Sequence, residues 1–222
     1  GMERIYQLSG DPAYGKAARF FWDLVARTRS FVIGGHGENE FFFAPDDLAT
    51  KGVVSPTGPE TCNTYNMIKL SRRQWLVEPS AALADFIERS LYNHILPSQE
   101  PNRGGFVYFT SMRPGHYRTY SSDTGDFWCC TDTGMESHAK HNQFIYAHAG
   151  PRLWVDLLIP SELDWADQGV RLRLETRFPE DGKATLIFEA KEPRMLEIAV
   201  RCPGWLESGA MTLAVKIGRA HV

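Results

Sequence analysis

Two short segments of this chain carry residues that could bind a metal: Glu60 and Cys62 in Glu60-Thr61-Cys62, and the adjacent pair Cys129-Cys130. Three thiolates and one carboxylate form a donor set that zinc accepts at tetrahedral geometry. The spacing is not that of a zinc ribbon or finger, whose half-sites are C-x2-4-C knuckles. Adjacent thiols and an E-x-C pair both call for irregular backbone, which costs stability unless the site does something. That points to chemistry rather than to a structural staple. Each segment also has a plainer reading. Glu60 could be a helix-start carboxylate favoured by the helix dipole, with Cys62 a buried thiol. Cys129-Cys130 could be a strained vicinal disulfide, two independent buried thiols, or half of a bridge to Cys62. Cys202, before Pro203-Gly204 at a strand end, reads as a small core residue.

Glu60 and Cys62 could not share a metal from within a helix, where residues two apart point to nearly opposite sides. In extended backbone they lie on one face. Pro59 stands at the mouth of a predicted helix, so Glu60-Thr61-Cys62 is expected to form the turn that enters it. Glu38 lies in the Gly-rich loop Gly34-Gly35-His36-Gly37-Glu38, which lets a carboxylate come close to a ligand. An exposed loop acid is the plainer reading of Glu38. Glu88 falls off the apolar stripe of its helix and by position alone belongs to a solvated face.

The elements that must hold these residues are readable in outline. Asp11-Pro12 is a cap followed by a first-turn proline, and Ala17, Phe20, Phe21, Leu24 and Val25 then share one helical stripe. A second helix is expected from just after Pro59 to about Trp75. A third is capped by Ser80, presents Leu83, Phe86, Ile87, Leu91 and Ile95, and ends at Pro97. Residues 104–109 read as a short strand and 133–148 as a helix. After Gly150-Pro151 the period changes to that of strands, over 153–159, 170–176, 185–189 and 196–200. The expected fold is therefore mainly α followed by β, with a helical domain over 1–149 and the start of an antiparallel sandwich over 150–216. The last six residues, 217–222, back-translate to the start of a sequencing adapter and are expected to be an artefact of a truncated reading frame.

The 222 residues, 43% hydrophobic, supply apolar material for one large or two small domains. A formal net charge of -3 with scattered basic residues argues against a nucleic-acid partner. No apolar run approaches the roughly 20 residues needed to cross a bilayer, so no membrane partner is expected. Four cysteines are ordinary usage, and free or metal-bound thiols are the default. The start Gly1-Met2-Glu3-Arg4 does not resemble a signal peptide. The N-terminus is expected to be missing, so compartment stays open between cytoplasm, periplasm and export, and oligomeric state is not specified.

Several stretches together resemble a known family. They are Gly58-Pro59-Glu60-Thr61-Cys62-Asn63-Thr64-Tyr65-Asn66-Met67-Ile68-Lys69-Leu70, Glu88-Arg89-Ser90-Leu91-Tyr92-Asn93-His94-Ile95-Leu96, Gly104-Gly105-Phe106-Val107-Tyr108-Phe109, Arg113-Pro114-Gly115-His116-Tyr117 and Phe127-Trp128-Cys129-Cys130. In this order, from about Gly10 to Trp205, they resemble the glycoside hydrolases typified by β-L-arabinofuranosidases (families 127 and 146). The resemblance implies the later part of an (α/α)6 barrel plus the start of a β-sandwich, and a chain shorter than the family. It implies Glu60, Cys62, Cys129 and Cys130 as Zn2+ ligands, Cys129 as nucleophile and Glu38, in the family's G-E loop, as acid/base. Glu88, Tyr108 and His36 fall where substrate contacts are expected. The implied partner is an oligosaccharide or glycan ending in β-L-arabinofuranose or a related sugar.

That chemistry is coherent. Retaining glycosidases form a glycosyl-enzyme and then hydrolyse it, usually with two carboxylates. A metal keeps a bound thiol deprotonated at neutral pH but lowers its nucleophilicity, so Cys129 is expected to loosen from the metal as it attacks. A carbohydrate-binding protein with a purely structural zinc is the main alternative. A thiol-redox protein using Cys129-Cys130 is a weaker one, since it gives Glu38 and Glu60 no role and lacks C-x-x-C. The 222-residue chain alone is expected to fold poorly and to have little activity.

Overall fold

In a computed structural model the protein is described over residues 1–216; the expectation for 217–222 lies outside the described residues. Among the described residues five α-helices precede six strands: α1 Met2–Ser9, α2 Pro12–Thr28, α3 Thr61–Val77, α4 Ala81–Ser90 and α5 Cys129–His138. The strands are β1 Tyr146–Ala149, β2 Arg152–Val155, β3 Ser161–Trp165, β4 Val170–Thr176, β5 Ala184–Ala190 and β6 Glu197–Val200. Asp11 caps α2 as expected, accepting from the Ala13 amide at 2.9 Å.

The face that α2 buries is not the one its large apolar residues mark. Gly15, Ala18, Trp22 and Val25 are buried, while Phe20 and Phe21 stay exposed. Small residues set this phase. A side chain at Gly15 would meet the Tyr6 ring at 3.1 Å, so α1 lies close against it. Trp22 then reaches inward, donating to Ser71 at 2.7 Å and meeting Phe86 edge-on. On α4 and the turn that continues it the expected stripe holds: Leu83, Phe86, Ile87, Leu91 and Ile95 all join the core with Tyr65, Met67 and Trp75 of α3. Beyond Ser90 the helix widens into a π-turn, Leu91–Ile95, and closes with a 3-10 turn, Leu96–Ser98. The widened turn brings His94 Nδ1 to Thr64 Oγ1 of α3, at 2.9 Å.

Two segments differ from expectation. Residues 104–109 form no strand; they run extended through single bridges, Gln99 to Phe106, Val107 to Tyr120 and Glu60 to Phe109. The helix expected over 133–148 starts earlier, at Cys129, and ends at His138, with a 3-10 turn over His141–Phe144 and β1 after it. Strand β3, which the sequence reading passed over, heads the antiparallel order β3-β4-β5. A second sheet has the order β1-β2-β6, with β1 and β2 antiparallel and β2 and β6 parallel. In β4, Val170, Leu172 and Leu174 are buried and Arg171, Arg173 and Glu175 exposed, the alternation of a sheet with one solvated face.

Besides apolar packing such as Trp75 on Trp154, a buried cation ties α4 to the segment after β6. The Arg201 guanidinium, after β6, is 3% exposed and pairs with Asp85 at 2.6 Å and with Glu88, both on α4. Its Nε donates to the Asp156 carbonyl at 2.6 Å. Trp205 donates its indole N–H to the other Glu88 oxygen at 2.8 Å, and the Gly204 amide donates to Asp85 at 3.0 Å. Replacing Arg201 by Met would strand two carboxylates, so urea denaturation should show a loss of about 3–5 kcal/mol, and adding Glu88→Gln should recover part of it.

The Asp156 carboxyl beside this network is buried, with Oδ2 unpartnered, and burial pushes its pKa up to about 7 against the pull of Arg201. A raised carboxyl favours the neutral form in the folded state. Its contribution is therefore complete below about pH 4 and is lost as pH rises to about 7. Asp156→Asn should flatten urea-midpoint-against-pH over that window and stabilise the protein at pH 8 by a few kcal/mol; an unchanged profile would show that Asp156 is not the group responsible.

Candidate metal and nucleophile site

Two helix starts converge on the four residues singled out from the sequence. Glu60 precedes α3 in extended conformation (φ -84, ψ 137), and Thr61 begins the helix. This is the expected entering turn, and it lets the Glu60 carboxylate and the Cys62 sulfur face one point. Pairing with the extended segment fixes it: the Thr61 amide donates to the Tyr108 carbonyl at 3.0 Å and the Thr110 amide to the Pro59 carbonyl at 2.9 Å. Gly58 makes the approach possible, with φ +74 and with Thr110 O only 2.3 Å from where a Cβ would stand. Trp128 precedes α5, so Cys129 and Cys130 occupy its first turn. The irregular backbone expected at the vicinal pair is not found: both cysteines are helical, and Trp128 before them is ordinary extended chain (φ -75, ψ 166). Both sets of sulfurs sit at the positive ends of helix dipoles, which favours thiolate.

One ligand atom from each of Glu60, Cys62, Cys129 and Cys130 lies within 4.8 Å of all the others. Cys62 Sγ and Cys130 Sγ are 3.0 Å apart, well beyond the ~2.05 Å of a disulfide, and all four cysteines of the chain are free. Glu60 Oε1 is 3.6 Å from Cys129 Sγ and 3.5 Å from Cys130 Sγ. Glu60 and Cys130 are buried, as is Cys62, and Cys129 is exposed. The hydrogen bond with Cys130 and burial hold the Cys62 thiol far above its usual range, burial raises Cys129, and the bond from Cys62 holds Cys130 below it. Among the described residues no ion pair involves Glu60. Four potentially anionic donors thus face one another with no cationic side chain among them, and this set fits a bound divalent cation.

The loop before α3 contributes a residue that the sequence reading passed over. Glu38 and Phe41 exchange backbone hydrogen bonds at 2.8 Å, closing a two-residue turn. Its central residues, Asn39 and Glu40, both have positive φ, 48 and 70. Such turns usually place glycine second; a side chain there costs on the order of 1–2 kcal/mol. The strained turn carries Glu40 to the Tyr108 hydroxyl, which donates to its carboxylate, and that hydroxyl lies 3.7 Å from Cys129 Sγ. The bond to Glu40, with burial added, holds the Tyr108 phenol far above its usual range. Two acids two apart in a loop without the usual turn glycine gave the sequence no means to choose between them.

The other expected site residues are distributed as follows. Tyr108 stands beside Cys129, with its ring against Trp128. The Glu38 carboxylate accepts from the Ser55 hydroxyl and is not among the four clustered donors. His36 is buried and stacked on Phe42, and burial lowers its pKa to about 4. Glu88 does not lie on a solvated face: it is buried, with its oxygens taken by Arg201 and Trp205.

Comparison with known proteins bears on this arrangement. Residues 1–143 match the family model of the beta-L-arabinofuranosidase GH127 catalytic domain, and 152–221 match that of the GH127 middle domain. Matches of this kind, in this order, define a chain of the glycoside hydrolase class. It belongs to the GH127 family. A non-reducing end beta-L-arabinofuranosidase of Bifidobacterium longum subsp. longum is 22% identical, with 97% of this chain and 34% of the relative covered. The crystal structure of a GH127 beta-L-arabinofuranosidase from Geobacillus stearothermophilus T6 superposes with TM-score 0.77 at 22% identity, over 93% of this chain and 34% of that one. A second GH127 beta-arabinofuranosidase structure gives 0.75 at 22% identity, over 92% and 32%. The chain spans about a third of the length of these relatives.

Exposure of the sulfurs sets an order of reactivity: Cys129 is exposed, and so is Cys202, which is not the core residue its sequence position suggested. In the intact gene product stripped of metal, a thiol reagent should modify Cys129 and Cys202 rapidly and Cys62 and Cys130 slowly, as mass spectrometry of digests would show. Added zinc should protect Cys129 and leave Cys202 unaffected; equal labelling of Cys129 with and without zinc would remove it from the metal site.

Proposed function

We propose that the protein carrying this chain is a retaining glycoside hydrolase that releases non-reducing terminal β-L-arabinofuranose, or a closely related sugar, from glycans, with Cys129 as nucleophile. The helices would form part of an (α/α)6 barrel and the sheets the start of a β-sandwich. The observation that carries the reading is the unequal exposure of the donors: Glu60, Cys62 and Cys130 are buried, and Cys129 opens to solvent. A purely structural metal would be served by four sealed ligands; an exposed sulfur beside Tyr108 suits attack on a sugar. The GH127 matches give the substrate class its support.

Glu60, Cys62, Cys129 and Cys130 would hold a zinc ion, which when bound keeps the thiols deprotonated at neutral pH. Cys129 attacks the anomeric carbon as the glycosidic C–O bond breaks, forming a thioglycosyl-enzyme, while a loop glutamate protonates the departing oxygen. The same glutamate then takes a proton from the water that displaces the Cys129 sulfur. The family resemblance gives this role to Glu38. The contact through Tyr108 to Cys129 favours Glu40, since Glu38 is engaged by Ser55.

Assay of the intact gene product on p-nitrophenyl β-L-arabinofuranoside tests the scheme. Cys129→Ser should abolish turnover, and survival of activity in that variant would end the thiolate reading. Glu40→Gln should lower kcat/KM by about 10²–10⁴-fold with Glu38→Gln much milder; the reverse order would return the role to Glu38. Glu40→Gly should raise Tm by relieving the turn while removing activity.

A further inference from the structure

One hydroxyl at the cluster has no part in this scheme. Thr133 is the fifth residue of α5, one turn after Cys129, and its Oγ1 lies 3.0 Å from Cys62 Sγ and 3.1 Å from the Cys129 carbonyl. The carbonyl contact by itself is ordinary, because helical threonines often donate to the carbonyl four residues back. The sulfur contact is not local: Cys62 is 71 positions away, on α3. Thr133 has a single proton to give. If Cys62 is a thiol, its S–H can donate to Thr133, whose proton goes to the Cys129 carbonyl. If Cys62 is a thiolate it has no proton, and the Thr133 hydroxyl must turn to the sulfur to keep the contact favourable.

We infer that Thr133 is a positioning residue that donates its hydroxyl hydrogen bond to the Cys62 thiolate and so keeps Cys62 as a fixed metal ligand while Cys129 is the one released. The inference rests on the metal-thiolate reading above. A hydrogen bond to a thiolate withdraws charge from sulfur, which lessens repulsion among three crowded sulfurs and a carboxylate. It falls on the buried sulfur at 3.0 Å, whereas the Tyr108 hydroxyl, 3.7 Å from the exposed Cys129 sulfur, gives its one proton to Glu40. Partners of this kind behind a metal ligand are worth about 10–100-fold in metal affinity.

The test substitutes Co(II) in the intact gene product and follows its sulfur-to-metal charge-transfer absorption, alongside chelator competition for Zn(II). Thr133→Val keeps the shape and removes the hydroxyl; Thr133→Ser keeps the hydroxyl. The expected result is a shift of the band to longer wavelength and about a 10–100-fold loss of Zn(II) affinity in Thr133→Val, with both restored in Thr133→Ser. A Thr133→Val protein with the parent's spectrum and affinity would overturn the inference and leave Thr133 a local helix contact, with the metal site intact. A parent protein that shows no sulfur-to-cobalt band would overturn the metal reading itself and the inference with it. Should Thr133→Val not fold, Thr133→Ala with the same two readouts decides.

Discussion

Crowding of like charge is the constraint on which the rest of this structure depends. Three sulfurs and the Glu60 carboxylate meet within 4.8 Å, and no lysine or arginine pairs with that carboxylate among the described residues. Such a set is tolerable only with shared protons, oriented dipoles or a bound cation. Protons are shared between Cys62 and Cys130 at 3.0 Å. Dipoles come from α3 and α5, whose first turns carry the cysteines. The surrounding construction serves to bring those two helix starts together. Residues 106–110 lie between them, pairing with the entrance to α3 and carrying Tyr108 past Cys129.

Legibility in the sequence followed the kind of information each residue carries. The entrance to α3 was readable because Pro59 restricts the backbone, and only extended backbone lets Glu60 and Cys62 face one point. The α4 stripe was readable because its large apolar residues and its buried face coincide. In α2 they do not, since close packing against α1 is set by Gly15 and Ala18, which a count of large apolar residues ignores. The start of α5 was placed four residues late because Cys129-Cys130-Thr131-Asp132 are all weak helix formers, and tertiary packing overrides that weak preference. The burial of Glu88 depends on Arg201, more than a hundred positions later. No local pattern could show it.

The Asn39-Glu40 turn was missed for a physical reason of another sort. Local rules describe what a backbone prefers, and here the chain does the opposite by placing a carboxylate where glycine fits best. Departures from local preference concentrate where a side chain is needed for something other than stability. On that ground Glu40, held against Tyr108 by a strained turn, is a stronger candidate for chemistry than Glu38, whose backbone is unstrained and whose carboxylate is already satisfied by Ser55.

The adjacency of Cys129 and Cys130 has its own logic. Neighbours in a helix project about 100° apart, so in the first turn of α5 one sulfur is sealed in the interior and the other reaches the surface. A knuckle spaced C-x-x-C places both thiols on one side and gives them similar surroundings. In the proposed mechanism the vicinal pair would give one metal two thiolates of different character, one retained and one released. A site that must hold its ion while lending a sulfur to a substrate requires that difference, and a helix start supplies it from two consecutive residues.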